Sequence, residues 1–344
     1  MKKIVHVVES FGSGVYSYLL DLTSGLCDEY DVYILYGLRE ETPVGFRNQF
    51  DSRINFIKIN DFTRELNLVK DIKAGIEIKR IIEDIDPDII HLHSSKAGGV
   101  GRMIKYSKKR KVFYTPHGYA FLNINNSRIK SKLFFVIEKL LGYRNIVTVA
   151  CSKGEYLESL KVTKKSTFIN NSIDAEYLSK FRSKKTNEEK VVFTIGRISN
   201  QKNPELFNNI AKKMDNYKFV WIGDGPLKSK LTSKNIVVTG WLPREKVLKI
   251  IQPFKFFIMT SKWEGLPISL LEAMYFSKNC FVTNVTGNKD VIEDGVNGYI
   301  FEDVDDFCLK MENSRDLGNI AKKCIKEKYT KKQMINKYLR LYND

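Results

Sequence analysis

The sequence predicts an α/β fold of two doubly wound parallel-sheet domains, and three observations carry that prediction. The chain has 344 residues, 43% of them hydrophobic, which is more than one ordinary domain uses. Short apolar runs alternate with longer amphipathic stretches, the pattern of βα units around a buried sheet. The alternation stops at a polar, lysine-rich segment, "KFRSKKTNEEK" (180–190), and then restarts.

The first strand is "KIVHVVES" (3–10), followed by a loop with Gly12 and Gly14 and a helix over about residues 15–27. Further strands are predicted at "DVYILYG", "INFIKIN", "PDIIHLHS", "KVFYTPHG" and "IVTVACS". In the second half the strands are "VVFTIGRIS", "YKFVWIGDG", "IVVTGWLP", "FKFFIMTS", "NCFVTNV" and "GYIFE", with a helix from about Pro204 to Met214. The expected domains are 1–175 and 176–327, with a basic C-terminal helix, 328–344, returning to the first. Two such sheets imply a cleft between them, and ligands bind beyond the carboxyl ends of strands.

The five cysteines are scattered without a Cys-x-x-Cys pair, so neither disulfides nor a zinc site is expected. No apolar run is long enough to span a membrane, and the N-terminus turns acidic too soon for a signal peptide, so a cytoplasmic protein is expected. The net charge of +17 is uneven: from Lys96 to Arg144 there are twelve Lys/Arg and one acid, Glu138. Such a patch suits nucleic acid, an anionic membrane surface or a phosphorylated substrate. The run "SRIKSKLFFVIEKLLGYR" interleaves its cations with Phe134, Phe135, Leu140 and Leu141. It reads equally as an interfacial helix or as an ordinary amphipathic helix docked on the sheet.

Residues just after strands are the candidates for chemistry. In "TIGRISNQKNPELF", Arg197 and Lys202 follow a strand and Pro204 opens a helix, a plausible diphosphate site because Arg binds bidentately and Lys as a point charge. Each alone also reads as a solvated surface cation. In "SKWEGLPISLLEAMYFS", Glu264 precedes a helix that Pro267 opens and Glu272 lies inside it. Beside a phosphate, two carboxylates make sense if they face sugar or ribose hydroxyls or balance the two cations; each is otherwise a helix-dipole partner or a surface acid.

"EGLPISLLE" and "GRISNQKNPELF" resemble the Glu-x7-Glu and Gly-Arg-x4-Lys segments of retaining, family-4-type glycosyltransferases of the GT-B fold. The similarity extends through "FVWIGDGPLKSKL", "VTGWLP", "IIHLHSSKAGGVGR" and "YTPHGYAF", and so over essentially the whole chain. The last two are similar to enzymes that extend lipid-linked saccharides in bacterial capsule, exopolysaccharide and glycan assembly. The resemblance implies a catalytic set of His117, Arg197, Lys202 and Glu264, with Arg197 and Lys202 on the donor diphosphate and Glu264 on the donor sugar. It puts Glu272 on the ribose, Gly265 and Leu266 on sugar and phosphate, Gly240 and Trp241 beside the base, and Gly14 where the backbone comes close to the donor. It further implies no metal or other cofactor, a nucleoside-diphosphate sugar (UDP type) as donor, a polyprenyl-diphosphate-linked saccharide as acceptor, and peripheral attachment to the inner face of the plasma membrane through region 96–144. Asn170-Asn171-Ser172 replaces the family's Pro-Asn-Gly at the interdomain strand end, and Gly12-Ser13-Gly14 its Gly-Gly.

Other signals carry less. Gly12-x-Gly14 lacks the third glycine of a dinucleotide fingerprint, since Ser17 stands there. His91-x-His93 is a possible metal pair with no third ligand evident nearby in the sequence, and reads better as cleft or core histidines. Asp84-x-Asp86 falls in a helix-to-strand turn. Two rivals remain, a non-catalytic polyanion or nucleic-acid binder and a GT-B-fold sugar-nucleotide epimerase or hydrolase.

Overall fold

A computed structural model describes residues 1–9, 11–39, 42–63, 67–123, 126–181 and 188–344. The chain forms two compact units, Met1–Asn171 with Lys331–Asp344, and Ser172–Thr330. Of the predicted linker 180–190, residues 182–187 lie outside the described residues.

The first unit has seven parallel strands: β1 (Lys2–Val8), β2 (Tyr30–Tyr36), β3 (Asn55–Lys58), β4 (Ile89–His93), β5 (Lys111–Thr115), β6 (Val147–Ala150) and β7 (Ser166–Phe168). Their order is β3-β2-β1-β4-β5-β6-β7, so the direction of winding reverses between β1 and β4. Ile4, Val5, His6, Val7 and Val8 are all fully buried, because helices cover both faces of a parallel sheet. Each such aliphatic side chain contributes about 1.5–3 kcal/mol by leaving water. β7 was not predicted; its three residues, "STF", are at most half-buried and carry no apolar run. The C-terminal helix Lys331–Asn343 packs on the helix Ser13–Ser24, with Tyr338 and Tyr342 fully buried and the Tyr18 and Tyr338 hydroxyls bonded to each other.

The second unit has six parallel strands, β8 (Glu188–Ile195), β9 (Lys218–Ile222), β10 (Ile236–Val238), β11 (Phe254–Met259), β12 (Asn279–Thr283) and β13 (Tyr299–Phe301). The order β10-β9-β8-β11-β12-β13 puts its winding reversal between β8 and β11. An aromatic core of Phe207, Phe219, Trp221, Phe281, Phe301 and Phe307 fills one side of this sheet. The loops leaving β8 and β11 therefore flank the switch point, where doubly wound sheets bind their ligands.

Candidate active site

The loop after β8 is shaped by close backbone approach. The Trp221 indole N–H donates to Gly196 O at 2.8 Å, and the Ile198 N–H to Asp224 O at 2.9 Å. Gly223 has φ +142°, and a Cβ there would lie 2.2 Å from Gly196 O, so only glycine lets the β9 exit pass this close. Arg197 sits half-buried between Gly196 and Ile198. A 3-10 turn, Asn200–Lys202, follows, and Asn203, at φ 50°, caps the helix Pro204–Lys213.

The exit loop of β11 is zipped onto that turn. The Thr260 hydroxyl donates to Lys202 O at 2.7 Å, the Lys262 N–H to Gln201 O at 2.8 Å, and the Gln201 amide to Trp263 O at 3.1 Å. These bonds bring Lys202 Nζ to 2.7 Å from Glu264 Oε1, with side chains only 17% and 8% exposed. The distance is that of a charge-assisted bond, and partial removal from water strengthens it. Gly287 supports the same loop from below: a Cβ there would meet Gly265 O at 2.2 Å.

Glu272 lies in the helix Ile268–Tyr275, with Pro267 at its N-cap. It accepts a 2.7 Å bond from Arg244 Nη2, and the Arg244 guanidinium lies 5.4 Å from the centre of the Tyr177 ring. Sequence reading missed Arg244. Its signal was a cation opening the helix Arg244–Ile250, where an acid is favoured, three residues past Trp241. Gly240, at φ 73°, bridges Gly223, and Trp241 is 56% exposed. The second unit thus collects Arg197, Lys202, Gly240, Trp241, Glu264, Gly265, Leu266 and Glu272 at the carboxyl ends of β8 to β11. Cations there can bind a diphosphate, and the carboxylates can accept from hydroxyls.

Gly14 and His117 belong to the first unit. Gly14 is the second residue of the helix Ser13–Ser24 and not part of a loop, because the helix begins at the residue after Gly12; a Cβ on it would meet nothing within 4 Å. His117 follows β5 with φ 52°, and Gly118 has φ 97°. The buried Glu155 carboxylate holds this strained turn, accepting from the Gly118 N–H at 2.5 Å and the Cys151 N–H at 2.7 Å.

All four histidines of the chain gather here. His6 Nδ1 is 3.0 Å from His93 Nε2, and His93 Nδ1 is 3.2 Å from His117 Nε2. His91 bonds the Tyr342 hydroxyl at 2.6 Å and the Thr115 hydroxyl at 2.9 Å. Burial pushes His6 and His117 down to about 3, and holds His91 and His93 well below the usual imidazole range. The third ligand that the sequence did not reveal for His91-x-His93 is His6, from the neighbouring strand: one nitrogen from each lies within 4.8 Å of the others. Five of these six ring nitrogens already bond within the protein, so the cluster is a hydrogen-bond network. Asp86 is taken up by Lys109 and Arg110 at 2.8 and 2.9 Å.

Residues 12–177 match the family Glycosyltransferase Family 4, and residues 177–331 match Glycosyl transferases group 1. The chain belongs to the GT-B glycosyltransferases. This glycosyltransferase is 26% identical over 334 residues to an Escherichia coli UDP-Gal:alpha-D-GlcNAc-diphosphoundecaprenol alpha-1,3-galactosyltransferase, covering 86% of this chain and 84% of that one. It is 27% identical to a Campylobacter jejuni alpha-1,4-N-acetyl-D-galactosaminyltransferase named for a diNAcBac-PP-undecaprenol-linked substrate, covering 90% and 87%. Its fold is similar to that of Thermosynechococcus elongatus sucrose-phosphate synthase, with TM-score 0.84, 14% identity and 99% and 98% of the two chains covered. Anabaena HepE, solved with UDP and glucose, superposes at TM-score 0.79 with 14% identity and both chains fully covered.

Proposed function

We propose that this glycosyltransferase moves a hexose or N-acetylhexosamine from a UDP-sugar to a lipid-linked saccharide, with retained anomeric configuration and without a metal, in bacterial surface-glycan synthesis. The observation that carries the reading is the Lys202–Glu264 pair at the β8/β11 switch point, one residue type suited to phosphate beside one suited to sugar hydroxyls. The UDP-galactosyl and undecaprenol-linked chemistry in the names of the two relatives supports the donor and acceptor classes.

In this reading Arg197 and Lys202 hold the donor diphosphate and stabilise the charge that develops as it leaves. Glu264 accepts from donor-sugar hydroxyls, Glu272 from the ribose, and the Gly265-Leu266 backbone braces sugar and phosphate. Gly240 and Trp241 border the base. The acceptor oxygen bonds the anomeric carbon on the face from which the phosphate oxygen departs, and the acceptor proton passes to that phosphate. In the same reading His117 takes part in the transfer.

The acceptor places the enzyme at a lipid surface, and the helix Arg128–Leu141 suits it. Ile129, Leu133, Val136, Ile137 and Leu140 fall on one stripe and are 40–83% exposed, whereas the acid, Glu138, is buried against Arg102 at 2.7 Å. Lys130, Lys132 and Lys139 are exposed beside the stripe. Lys96 and Arg102 do not add to this basic surface, because they pair internally with Asp71 and Glu138. An apolar stripe with cations beside it complements an anionic bilayer.

The test supplies UDP-hexoses and UDP-N-acetylhexosamines with a polyprenyl-diphosphate-linked saccharide and reads the product anomer by NMR. Transfer with the donor's configuration, unaffected by EDTA, is expected. Donor turnover that ignores the acceptor would instead favour an epimerase or hydrolase, and an inverted product would end the retaining assignment.

A further inference from the structure

His6, His93 and His117 form one hydrogen-bonded row, and its inner end is blocked. His6 is fully buried as the register partner of His91, and its Nε2 bonds none of the described residues. At the outer end His117 is half-buried, and its Nδ1 bonds none of the described residues. Each neutral imidazole has one N–H and one lone pair, so two bonds between three rings permit only two arrangements, and choosing one donor sets every other. Were His117 to donate through Nε2, His93 would donate onward to His6 Nδ1, and the last N–H would sit on His6 Nε2, buried and unpaired. In the opposite arrangement His6 Nδ1 donates to His93, His93 Nδ1 donates to His117, and the orphan is only a lone pair on His6 Nε2. Orphaned buried N–H groups are the rarer defect in folded proteins, so the second arrangement is favoured.

We infer that His6 and His93 are positioning residues that hold His117 as the neutral Nδ1–H tautomer, so that His117 meets substrate oxygen as a hydrogen-bond donor and not as a base. This rests on the reading of His117 as a site residue. It assigns a role to two buried histidines that touch no substrate, and it leaves the acceptor proton to the departing phosphate. Glu155, which fixes the backbone of the same turn, orients the ring without choosing its tautomer.

Because the chain has only four histidines, the test can be read directly. In the intact protein labelled with 15N-histidine, long-range 15N–1H NMR distinguishes protonated Nδ1 from protonated Nε2, and His117→Ala identifies the His117 signals. The wild type is expected to show Nδ1–H at His117; a protonated Nε2 there overturns the inference without any variant having to fold. His6→Leu removes the donor that starts the row, and should move His117 toward Nε2–H and lower kcat roughly tenfold, the scale of one lost hydrogen bond, with donor KM little changed. His6→Asn keeps an N–H near the Nδ1 position and should rescue both readouts. A folded His6→Leu with unaltered tautomer and kcat would also overturn the positioning role. Full transfer by His117→Ala would remove the site reading itself, an outcome distinct from either tautomer result.

Discussion

Lys202 Nζ and Glu264 Oε1 lie 2.7 Å apart although 62 residues separate them in sequence. Bonds from the Thr260 hydroxyl and the Lys262 N–H to backbone carbonyls of the Asn200–Lys202 turn set this distance, so the pair is a product of the two loops and not of the reach of Lys202 and Glu264 alone. Replacing Lys202 by Ala should reduce transfer roughly a hundredfold to a thousandfold, as expected for loss of a group that stabilises developing charge. Glu264→Gln, which keeps shape and removes charge, should lose activity with a smaller fall in Tm than Lys202→Ala, which strands a buried carboxylate. Steady-state kinetics and thermal melts check both; wild-type turnover in either variant would dissolve the site.

Arg244 holds Glu272 and rests on Tyr177. Arg244→Ala should raise donor KM about tenfold with a smaller effect on kcat, since it frees the carboxylate to swing rather than removing a group from the reacting centre. A change confined to kcat would contradict this.

Gly287→Ala would push a methyl group against the Gly265 carbonyl, a backbone atom that cannot rotate away. The expected result is a lower Tm, by an overpacking cost of about 1–3 kcal/mol, and weakened donor binding. An unaltered melt and KM would show that the loop gives way freely.

Co-sedimentation with vesicles tests the exposed stripe of the helix Arg128–Leu141. Binding should require anionic lipid and decline with salt, each exposed cation contributing about 1 kcal/mol near the surface. Leu133→Glu with Ile137→Glu should abolish it and leave Tm intact, because both side chains already face out. Equal binding to neutral vesicles, or none by the wild type, would remove the membrane contact.

His6, His91 and His93 are neutral in the folded state, with pKa values displaced downward by burial. The unfolded chain binds more protons once pH drops below the ordinary imidazole value of about 6.5, so stability is complete above that pH and is lost as pH falls toward about 3, the value for His6. Tm should therefore decline from pH 7 to pH 4; a flat profile would mean that the cluster charges without cost.

The sequence by itself determined the strands except β7 and both doubly wound sheets, because apolar periodicity and turn chemistry are local. Lys202 and Glu264 were legible as residues after strands. Tertiary structure alone decided who meets whom. Arg244 reaches Glu272 across 28 residues, His6 aligns with His91 through the register of β1 and β4, and the helix Arg128–Leu141 turns its aliphatic stripe outward because Arg102 captures Glu138. Those outcomes depend on register and on pairing between distant segments, and periodicity within one segment carries no information about either.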